Sequence, residues 1–306
     1  MSQPEFIEKN RILAPFTSWL VGGAADYFCC PKTENEIQQA WTWALEKKLP
    51  VTFLGGGTNV LISDQGVEGL LICLKNFSGI EGEEIVEGKK KYLKFTARSG
   101  TSKGELLKIF LKYKLAPALF LAGLPGDVGG GIVMNAGVAE NLSPREFCEI
   151  VQAIEVISSP QDWNAKVYQH SEVQWSYRHS RGWQPGLVTK VHFQWPYEPD
   201  GSILNKVRDA NRVRLSKQPL DKPSCGSVFV NPQGHKAAQL IDSNGLKGFQ
   251  IGDAQVSMKH ANFIVNLGQA KAQEIWQVIQ HVKNVVKEKK SIDLQTEVVL
   301  LGRWQT

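Results

Sequence analysis

The sequence lacks any long apolar run. Its longest uninterrupted ones, such as LLICL at 70–74, have the length of a β-strand, whereas a membrane-spanning helix needs about 20 apolar residues. The stretch MSQPEFIEKNR at 1–11 contains acidic residues and no apolar segment, which argues against a secretory signal. We therefore expect a protein without a membrane span and with a cytoplasmic location.

Cysteine and histidine are scarce and scattered. The 306 residues include five cysteines and six histidines, with no CxxC and no HxxxH spacing, so the sequence predicts no metal site. An odd number of cysteines, two of them adjacent at Cys29 and Cys30, is typical of reduced thiols rather than of a disulfide framework. Cys225 is interpreted as a small packing residue, because no histidine is close to it in the sequence.

Neither sign of charge dominates. Lysine and arginine total 35 and the acids total 30, which gives a net charge of +5 without a basic tail. This mild excess argues against a nucleic-acid partner, yet it is compatible with a small anionic ligand.

Length and composition favour a folded protein of two or three domains, since 42% of the residues are apolar and no segment has low complexity. Two helices begin with the capping-box pattern, one at Thr33 and Glu36 and one at Ser102 and Glu105. A later helix at 268–290 places apolar residues on one face, namely Ile275, Val278, Ile279, Val282 and Val286. Short strand-like segments alternate with these helices, and SIDLQTEVVLLG at 291–302 predicts a terminal strand.

Two glycine-dense loops stand out, GGGTNV at 55–60 and LPGDVGGG at 124–131. Such loops bring main-chain N–H groups close to an anion, commonly a diphosphate. Neither loop has the GK[ST] lysine of a nucleoside-triphosphate hydrolase or the GxGxxG spacing with a later acid. Because there are two such loops, in adjoining domains, we expect them to share one diphosphate cofactor. The alternative is that each loop is only a set of tight turns.

The glycine loops belong to a series of motifs that also includes VGGAADYF at 21–28, SYRHS at 176–180, RLSKQP at 214–219, CGSVF at 225–229 and LQTEV at 294–298. Their order resembles that of the UDP-N-acetylenolpyruvoylglucosamine reductase (MurB) family, flavoenzymes of peptidoglycan precursor synthesis. The resemblance covers almost the whole chain.

This resemblance implies an α+β fold of three domains, with two FAD-binding domains of the PCMH or vanillyl-alcohol-oxidase-like type and a C-terminal α+β substrate-binding domain. The expected boundaries are 1–76, 77–200 and 201–291, and the strand at 292–306 would return to the first domain. The implied cofactor is FAD, NADPH is the co-substrate, and the partner is a small nucleotide sugar. We expect a monomer.

The resemblance also implies roles for individual residues. The catalytic residues would be Ser227, Glu297 and Arg178. The cofactor-binding residues would be Leu54, Gly55, Gly56, Gly57, Thr58, Asn59, Gly123, Pro125, Gly126, Gly129, Gly130, Asn135, Ala136 and Gly137. The substrate-binding residues would be Tyr177, Arg214, Lys217, Gly226, Asn231 and His260.

The implied reaction reduces an enol ether attached to a carboxylate, which requires a hydride at one carbon and a proton at the next. A flavin supplies the hydride. Arg178 would stabilise the charge that develops on the carboxylate, and Ser227 would donate the proton with the aid of Glu297. This would convert UDP-N-acetylglucosamine enolpyruvate to UDP-N-acetylmuramate and so supply the cell wall that division and cell shape require.

Other interpretations stay open. Ser227 follows a glycine and could be a turn residue, Arg178 could form a surface ion pair, and Glu297 could be an exposed strand residue. His260 and Asn262, in KHANFIVN, also resemble the family pattern but could simply cap a turn. The whole chain could be a flavin-dependent oxidase with the same cofactor fold, or a nucleotide-sugar sensor without turnover.

The chain departs from the family pattern at Gly131, where an alanine-like residue is common, and at Ala238, Gln239 and Val299. No tyrosine follows Tyr197, so the tyrosine-bearing loop of one branch is missing and the chain resembles the shorter branch.

Overall fold

The computed structural model describes residues 2–87, 90–138 and 142–304. The helices in these ranges are α1 Glu34–Glu46, α2 Lys103–Lys112, α3 Pro117–Leu121, α4 Val128–Val133, α5 Ile203–Lys217, α6 Ala237–Ser243 and α7 Ala272–Lys290. The strands are β1 Glu8–Ile12, β2 Ala24–Cys29, β3 Val51–Leu54, β4 Val60–Ile62, β5 Val67–Cys73, β6 Ile80–Val86, β7 Tyr92–Arg98, β8 Val151–Ile157, β9 Lys166–Gln169, β10 Gln174–Ser176, β11 His179–Arg181, β12 Leu187–Pro196, β13 Gln250–Ile251, β14 Ala254–Val256, β15 Ile264–Asn266 and β16 Val299–Leu301.

The chain divides into two compact units. Unit 1 consists of Met1–Ile7, Cys29–Gly56 and Leu70–Val213, and unit 2 consists of Glu8–Phe28, Gly57–Gly69 and Arg214–Thr306. The mixture of helices and antiparallel sheets confirms the α+β class. The division into three domains stays a prediction.

Unit 1 is built on a five-stranded antiparallel sheet in the order β6-β7-β12-β8-β9. Alternate residues of β7, namely Leu93, Phe95 and Ala97, are buried because successive side chains of a strand point to opposite faces. This face packs against the apolar side of α2, where Phe95 meets Phe110 edge to face at 5.5 Å between ring centroids. Both predicted capping boxes are confirmed, Thr33 with Glu36 at α1 and Ser102 with Glu105 at α2.

Unit 2 has a core centred on α7. Its buried face carries the five apolar residues predicted for it, because their spacing follows the 3.6-residue turn. The carboxylate of Asp64 accepts hydrogen bonds from the N–H groups of Ala272 and Gln273, both at 2.9 Å, and so caps the start of this helix. The antiparallel sheet β13-β14-β15 packs against α7.

The end of the chain differs from the single terminal strand predicted for 291–302. Thr296 forms an isolated bridge with Phe229, and only Val299–Leu301 forms a strand, which pairs in parallel with β4. The segment 174–181 forms a hairpin of β10 and β11. Across 2–87, 90–138 and 142–304, no helix combines the length and the apolar character that a membrane crossing requires.

Candidate active site

The two glycine loops meet within unit 1. A Cβ atom placed on Gly56 would lie 3.0 Å from the Cα of Gly126, and one placed on Gly55 would lie 2.4 Å from the Oδ2 of Asp127. Contacts this short require glycine, because any side chain would push the loops apart. The two loops therefore pack directly against each other in unit 1, and we call the pair the glycine cradle. That they bind a diphosphate stays a prediction.

The second glycine loop is fastened to the segment before α2 by backbone hydrogen bonds. The N–H of Lys103 donates to Gly126 at 3.0 Å, that of Val128 donates to Thr101 at 2.9 Å, and that of Gly129 donates to Ser99 at 2.7 Å. The loop then leads into α4, whose first turn is capped by the carboxylate of Asp127, which accepts from Gly130 N at 2.8 Å.

Gly57 needs to be glycine for two reasons. Its φ of +65° lies in the left-handed region, and a Cβ atom would stand 1.9 Å from the carbonyl oxygen of Phe16. Its own carbonyl accepts from Ser18 N at 3.0 Å. The first loop therefore has a fixed path through this residue.

Asn59 contacts the segment of Glu297. Its Nδ2 donates to the Glu297 carbonyl at 3.0 Å, and its own carbonyl accepts from Val299 N at 3.0 Å. This asparagine therefore orients the backbone of a predicted catalytic residue. Its role as a cofactor contact stays a prediction.

Asn135 is fully buried and ties several backbone segments together. Its Nδ2 donates to the carbonyl of Ser176 at 3.0 Å and to Glu146, and its Oδ1 accepts from Cys148 N at 3.1 Å. The side chain holds the β10–β11 hairpin beside the end of α4, where Ser180 Oγ donates to the Ile132 carbonyl at 2.6 Å. A direct contact of Asn135 with the cofactor stays a prediction.

Arg178 lies at the turn of this hairpin with a φ of +58°. Its Nη2 donates to the carbonyl of Gly137 at 2.9 Å, and its guanidinium lies 4.7 Å from the ring centroid of Tyr177. Because Gly137 follows α4, the arginine is fixed relative to the second glycine loop. The other predicted cofactor residues lie in or beside the same two loops, namely Leu54, Thr58, Gly123, Pro125, Gly129, Gly130 and Ala136.

Ser227 lies in an irregular segment of unit 2 and is half-buried. Gly226 before it has a φ of +84°, and no atom of the described residues lies within 4 Å of the position a Cβ would take there. Val228 and Phe229 after it are buried in the core. The serine thus lies between two core residues that follow it and a glycine whose Cβ position is unobstructed by residues other than its two chain neighbours.

Asn262 holds this segment in place. Its Oδ1 accepts from Phe229 N at 2.9 Å, its Nδ2 donates to Phe229 O at 2.8 Å, and its carbonyl accepts from Val228 N at 2.9 Å. The side chain amide replaces the partner that a neighbouring strand would provide.

Glu297 runs alongside the same segment. Its N–H donates to the carbonyl of Val228 at 2.8 Å, and Thr296 pairs with Phe229. Burial, together with the nearby charge of Glu297, raises the pKa of Cys225, which is consistent with a packing role and not with a reactive thiolate. Ser227 and Glu297, which are 70 residues apart in the sequence, are therefore neighbours in unit 2.

The predicted substrate contacts of unit 2 are positioned as follows. Arg214 Nε donates to Gln218 at 2.8 Å near the end of α5, where Lys217 is exposed. Asn231 accepts from Ala237 N at 2.9 Å and caps α6. Burial and the charge of Lys247 lower the pKa of His260, whose Nδ1 is buried without a hydrogen-bond partner among the residues that the structure describes.

The structure explains the departure at Gly131. A Cβ at this position in α4 would lie 2.8 Å from two carbons of the Phe147 ring and 2.9 Å from a third, and that ring is fully buried. The chain therefore combines a glycine with a large aromatic neighbour where an alanine would need a smaller one.

We expect Gly131→Ala to lower the free energy of unfolding by about 1–2 kcal/mol. The reason is that the energetic cost of overpacking against Phe147 exceeds the gain from the higher helix propensity of alanine. Urea unfolding measures this. Gly104→Ala in α2 is the control, because its nearest neighbour would be 3.7 Å away, and it should stabilise the protein. The cost of Gly131→Ala should shrink in a Phe147→Leu background, and an equal stabilisation by both alanines would contradict this explanation.

Sequence reasoning missed three residues of the site. Lys103 and Asp127 are buried charged residues at the second loop, and Asn262 is the clamp of the Ser227 segment, a role that its match to the family motif KHANFIVN does not indicate. The capping pattern of α2 pointed to Ser102 and gave no signal that the next side chain turns inward. Within the described part of the chain, no group of three or more histidine, cysteine or acidic residues could hold a metal ion.

This chain is similar to known proteins over most of its length. The FAD binding domain model matches residues 25–161, and the model of the UDP-N-acetylenolpyruvoylglucosamine reductase C-terminal domain matches residues 218–301. UDP-N-acetylenolpyruvoylglucosamine reductase of Synechococcus elongatus is 38% identical over 98% of this chain and 96% of its own. That of Listeria innocua is 37% identical over 97% and 95%.

Among solved structures, the reductase of this name from Thermus caldophilus has a TM-score of 0.75 at 31% identity, and the match covers 97% of this chain and 100% of that one. The glycine cradle and the matched FAD binding domain define the class: the protein is an FAD-containing oxidoreductase. The chain belongs to the UDP-N-acetylenolpyruvoylglucosamine reductase family.

Proposed function

We propose that this protein reduces UDP-N-acetylglucosamine enolpyruvate to UDP-N-acetylmuramate with NADPH, in the cytoplasm, as a step of peptidoglycan precursor synthesis. Family membership supports the reductase activity and the nucleotide-sugar substrate, since the relatives carry that name over nearly their full length. A monomer is sufficient for the reaction, because the chain itself contains every residue assigned below.

FAD would be held by the two glycine loops, at 54–59 and 123–130. Gly55 and Gly56 bring the main chain of one loop against Gly126 and Asp127 of the other, so that backbone N–H groups of both loops can bind the same diphosphate. Bound FAD supplies the hydride of the reaction.

Arg178 binds the carboxylate of the enolpyruvyl group in this proposal. A guanidinium stays charged at all relevant pH values and pairs with a carboxylate through two parallel hydrogen bonds. The bond from its Nη2 to Gly137 fixes the arginine before the substrate arrives. It can therefore stabilise the negative charge that grows as the double bond is reduced.

Ser227 donates the proton in this proposal. The observation that carries this assignment is the geometry of its segment, in which the residues after the serine are clamped by Asn262 and Glu297 while the side at Gly226 is open. Glu297 assists the serine, because an unperturbed hydroxyl is a poor acid.

The nucleotide part of the substrate would bind to the basic end of α5. Arg214 and Lys217 supply positive charge for its diphosphate, and Lys259 adds a third cation there, since its Nζ donates to the Leu215 carbonyl at 2.6 Å. Tyr177, Asn231 and His260 are the further contacts that we assign to the sugar nucleotide.

Stopped-flow absorbance on the purified protein tests this function. We expect NADPH to bleach the flavin and, without oxygen, UDP-N-acetylglucosamine enolpyruvate to restore its colour with formation of UDP-N-acetylmuramate. Reoxidation by air but not by the enolpyruvyl sugar would instead indicate an oxidase. Binding of the sugar nucleotide without any reoxidation would indicate a sensor, and either result would overturn the proposal.

A further inference from the structure

Lys103 is a lysine in an unusual environment. It occupies the first position of α2, yet its side chain turns inward and only 5% of the residue is exposed. Lysine is rarely buried to this extent unless its charge is paired. The capping of α2 does not require it, because Ser102 and Glu105 already satisfy the first turn.

The contacts of Lys103 are with the second glycine loop. Its Nζ donates to the carbonyl of Pro125 at 2.9 Å, and its backbone N–H donates to the carbonyl of Gly126 at 3.0 Å. The ammonium also lies 5.4 Å from the ring centroid of Phe147. One residue thus binds two consecutive carbonyls of the loop.

The charges around Lys103 complete this arrangement. Burial lowers its pKa to about 8, while the neighbouring carboxyl of Asp127 raises it and the guanidinium of Arg178 lowers it. Burial likewise raises the pKa of Asp127, against which the hydrogen bond from Gly130 and the charge of Lys103 act. Each buried charge therefore compensates part of the desolvation cost of the other.

The far side of the same loop faces the first glycine loop. Gly126 lies against Gly56, and the Asp127 carboxyl lies against Gly55. A displacement of Pro125 or Gly126 would therefore open or close the cradle directly.

We propose that Lys103 is a positioning residue of the FAD site, which holds the second glycine loop in its cofactor-binding shape through Pro125, Gly126 and the charge of Asp127. A preorganised loop spares the cofactor the cost of ordering it. The inference rests on FAD as the cofactor and is independent of the substrate and of the role of Ser227.

The test measures the dissociation constant of FAD from the apoprotein by flavin fluorescence, together with urea unfolding of the apoprotein. Lys103→Met keeps the length of the side chain and removes its charge and its hydrogen bond. We expect the dissociation constant to rise about tenfold or more, as the loss of one hydrogen bond from a charged donor predicts. Lys108→Met is the control, because it removes an exposed lysine of the same helix. Its FAD dissociation constant should stay within twofold of that of the unchanged protein.

A second comparison, made with variants in which Asp127 is replaced, covers the case in which Lys103→Met alone does not fold. Lys103→Met combined with Asp127→Asn leaves no unpaired buried charge, and its FAD affinity is compared with that of Asp127→Asn alone. The same rise of about tenfold is expected there. An FAD dissociation constant within twofold in both comparisons, even with a less stable apoprotein, would show that Lys103 serves folding only and would overturn the proposal.

Discussion

Ser227→Ala is expected to slow the oxidation of the reduced flavin by UDP-N-acetylglucosamine enolpyruvate by about 10²–10⁴-fold, the range that a positioned general acid contributes. Flavin reduction by NADPH should stay within a few-fold of the unchanged protein, because that step needs no proton from the serine. The side chain is small and half-buried beside open space, so its loss should leave the fold intact. Stopped-flow measurement of the two half-reactions separates these effects.

The matched control is Ser224→Ala, three residues earlier in the same segment and equally half-buried. It should change neither half-reaction by more than a few-fold. If Ser227→Ala reoxidises with the enolpyruvyl sugar as fast as Ser224→Ala does, the serine is a turn residue and the proton comes from elsewhere. Unchanged reoxidation by air in both variants would confirm that the flavin itself is intact.

The glycine loops show how far local sequence can lead. Both were predicted to serve one ligand, because a glycine costs folding entropy wherever its backbone freedom is unused. The structure brings Gly55 and Gly56 against Gly126 and Asp127, and the FAD binding domain match covers both loops. A local pattern of glycines was enough to single out both loops, whereas their contacts with each other and with Phe16 are visible only in the structure.

The residues that support the site could not be found in this way. Asn262 binds Phe229, 33 residues away, and Asn59 binds the Glu297 carbonyl, 238 residues away. An asparagine has the same local signature whether its amide faces water or a buried backbone group. Such partners are fixed by tertiary packing, which a single sequence does not display.

Lys103 illustrates a second limit. In the first turn of an amphipathic helix, a lysine is expected on the solvent side. Here the buried carboxyl of Asp127 and the Pro125 carbonyl give its ammonium an environment inside unit 1. The terminal strand was misjudged for a related reason, because Thr296 pairs with Phe229 while Val299–Leu301 pairs with β4. One alternating segment therefore pairs with two different backbone segments.

Asn262→Ala is expected to have the second-largest effect on the reaction. It leaves the buried N–H and carbonyl of Phe229 without their amide partner, which costs about 2–4 kcal/mol of folding free energy at the usual penalty for two unsatisfied groups. In the folded fraction, the loosened segment displaces Ser227, the proposed proton donor. A misplacement of about 1 Å lowers a rate about 100-fold, so reoxidation of the flavin by the enolpyruvyl sugar should slow by that amount.

The control for this variant is Asn266→Ala. Asn266 is as deeply buried as Asn262, and it also uses its side chain to bind backbone, donating to Trp19 O at 2.9 Å and accepting from Gly268 N at 2.8 Å. Its loss should therefore reduce stability by a similar amount, yet its side chain forms none of the hydrogen bonds that hold Val228 and Phe229. Its backbone N–H, which donates to the Pro223 carbonyl at 3.0 Å, is kept in the alanine variant. Urea unfolding and the two half-reactions are measured on both variants at a temperature where each is folded. Equal slowing of reoxidation in both would mean that Asn262 acts on stability alone, whereas slowing confined to Asn262→Ala assigns it to the positioning of Ser227.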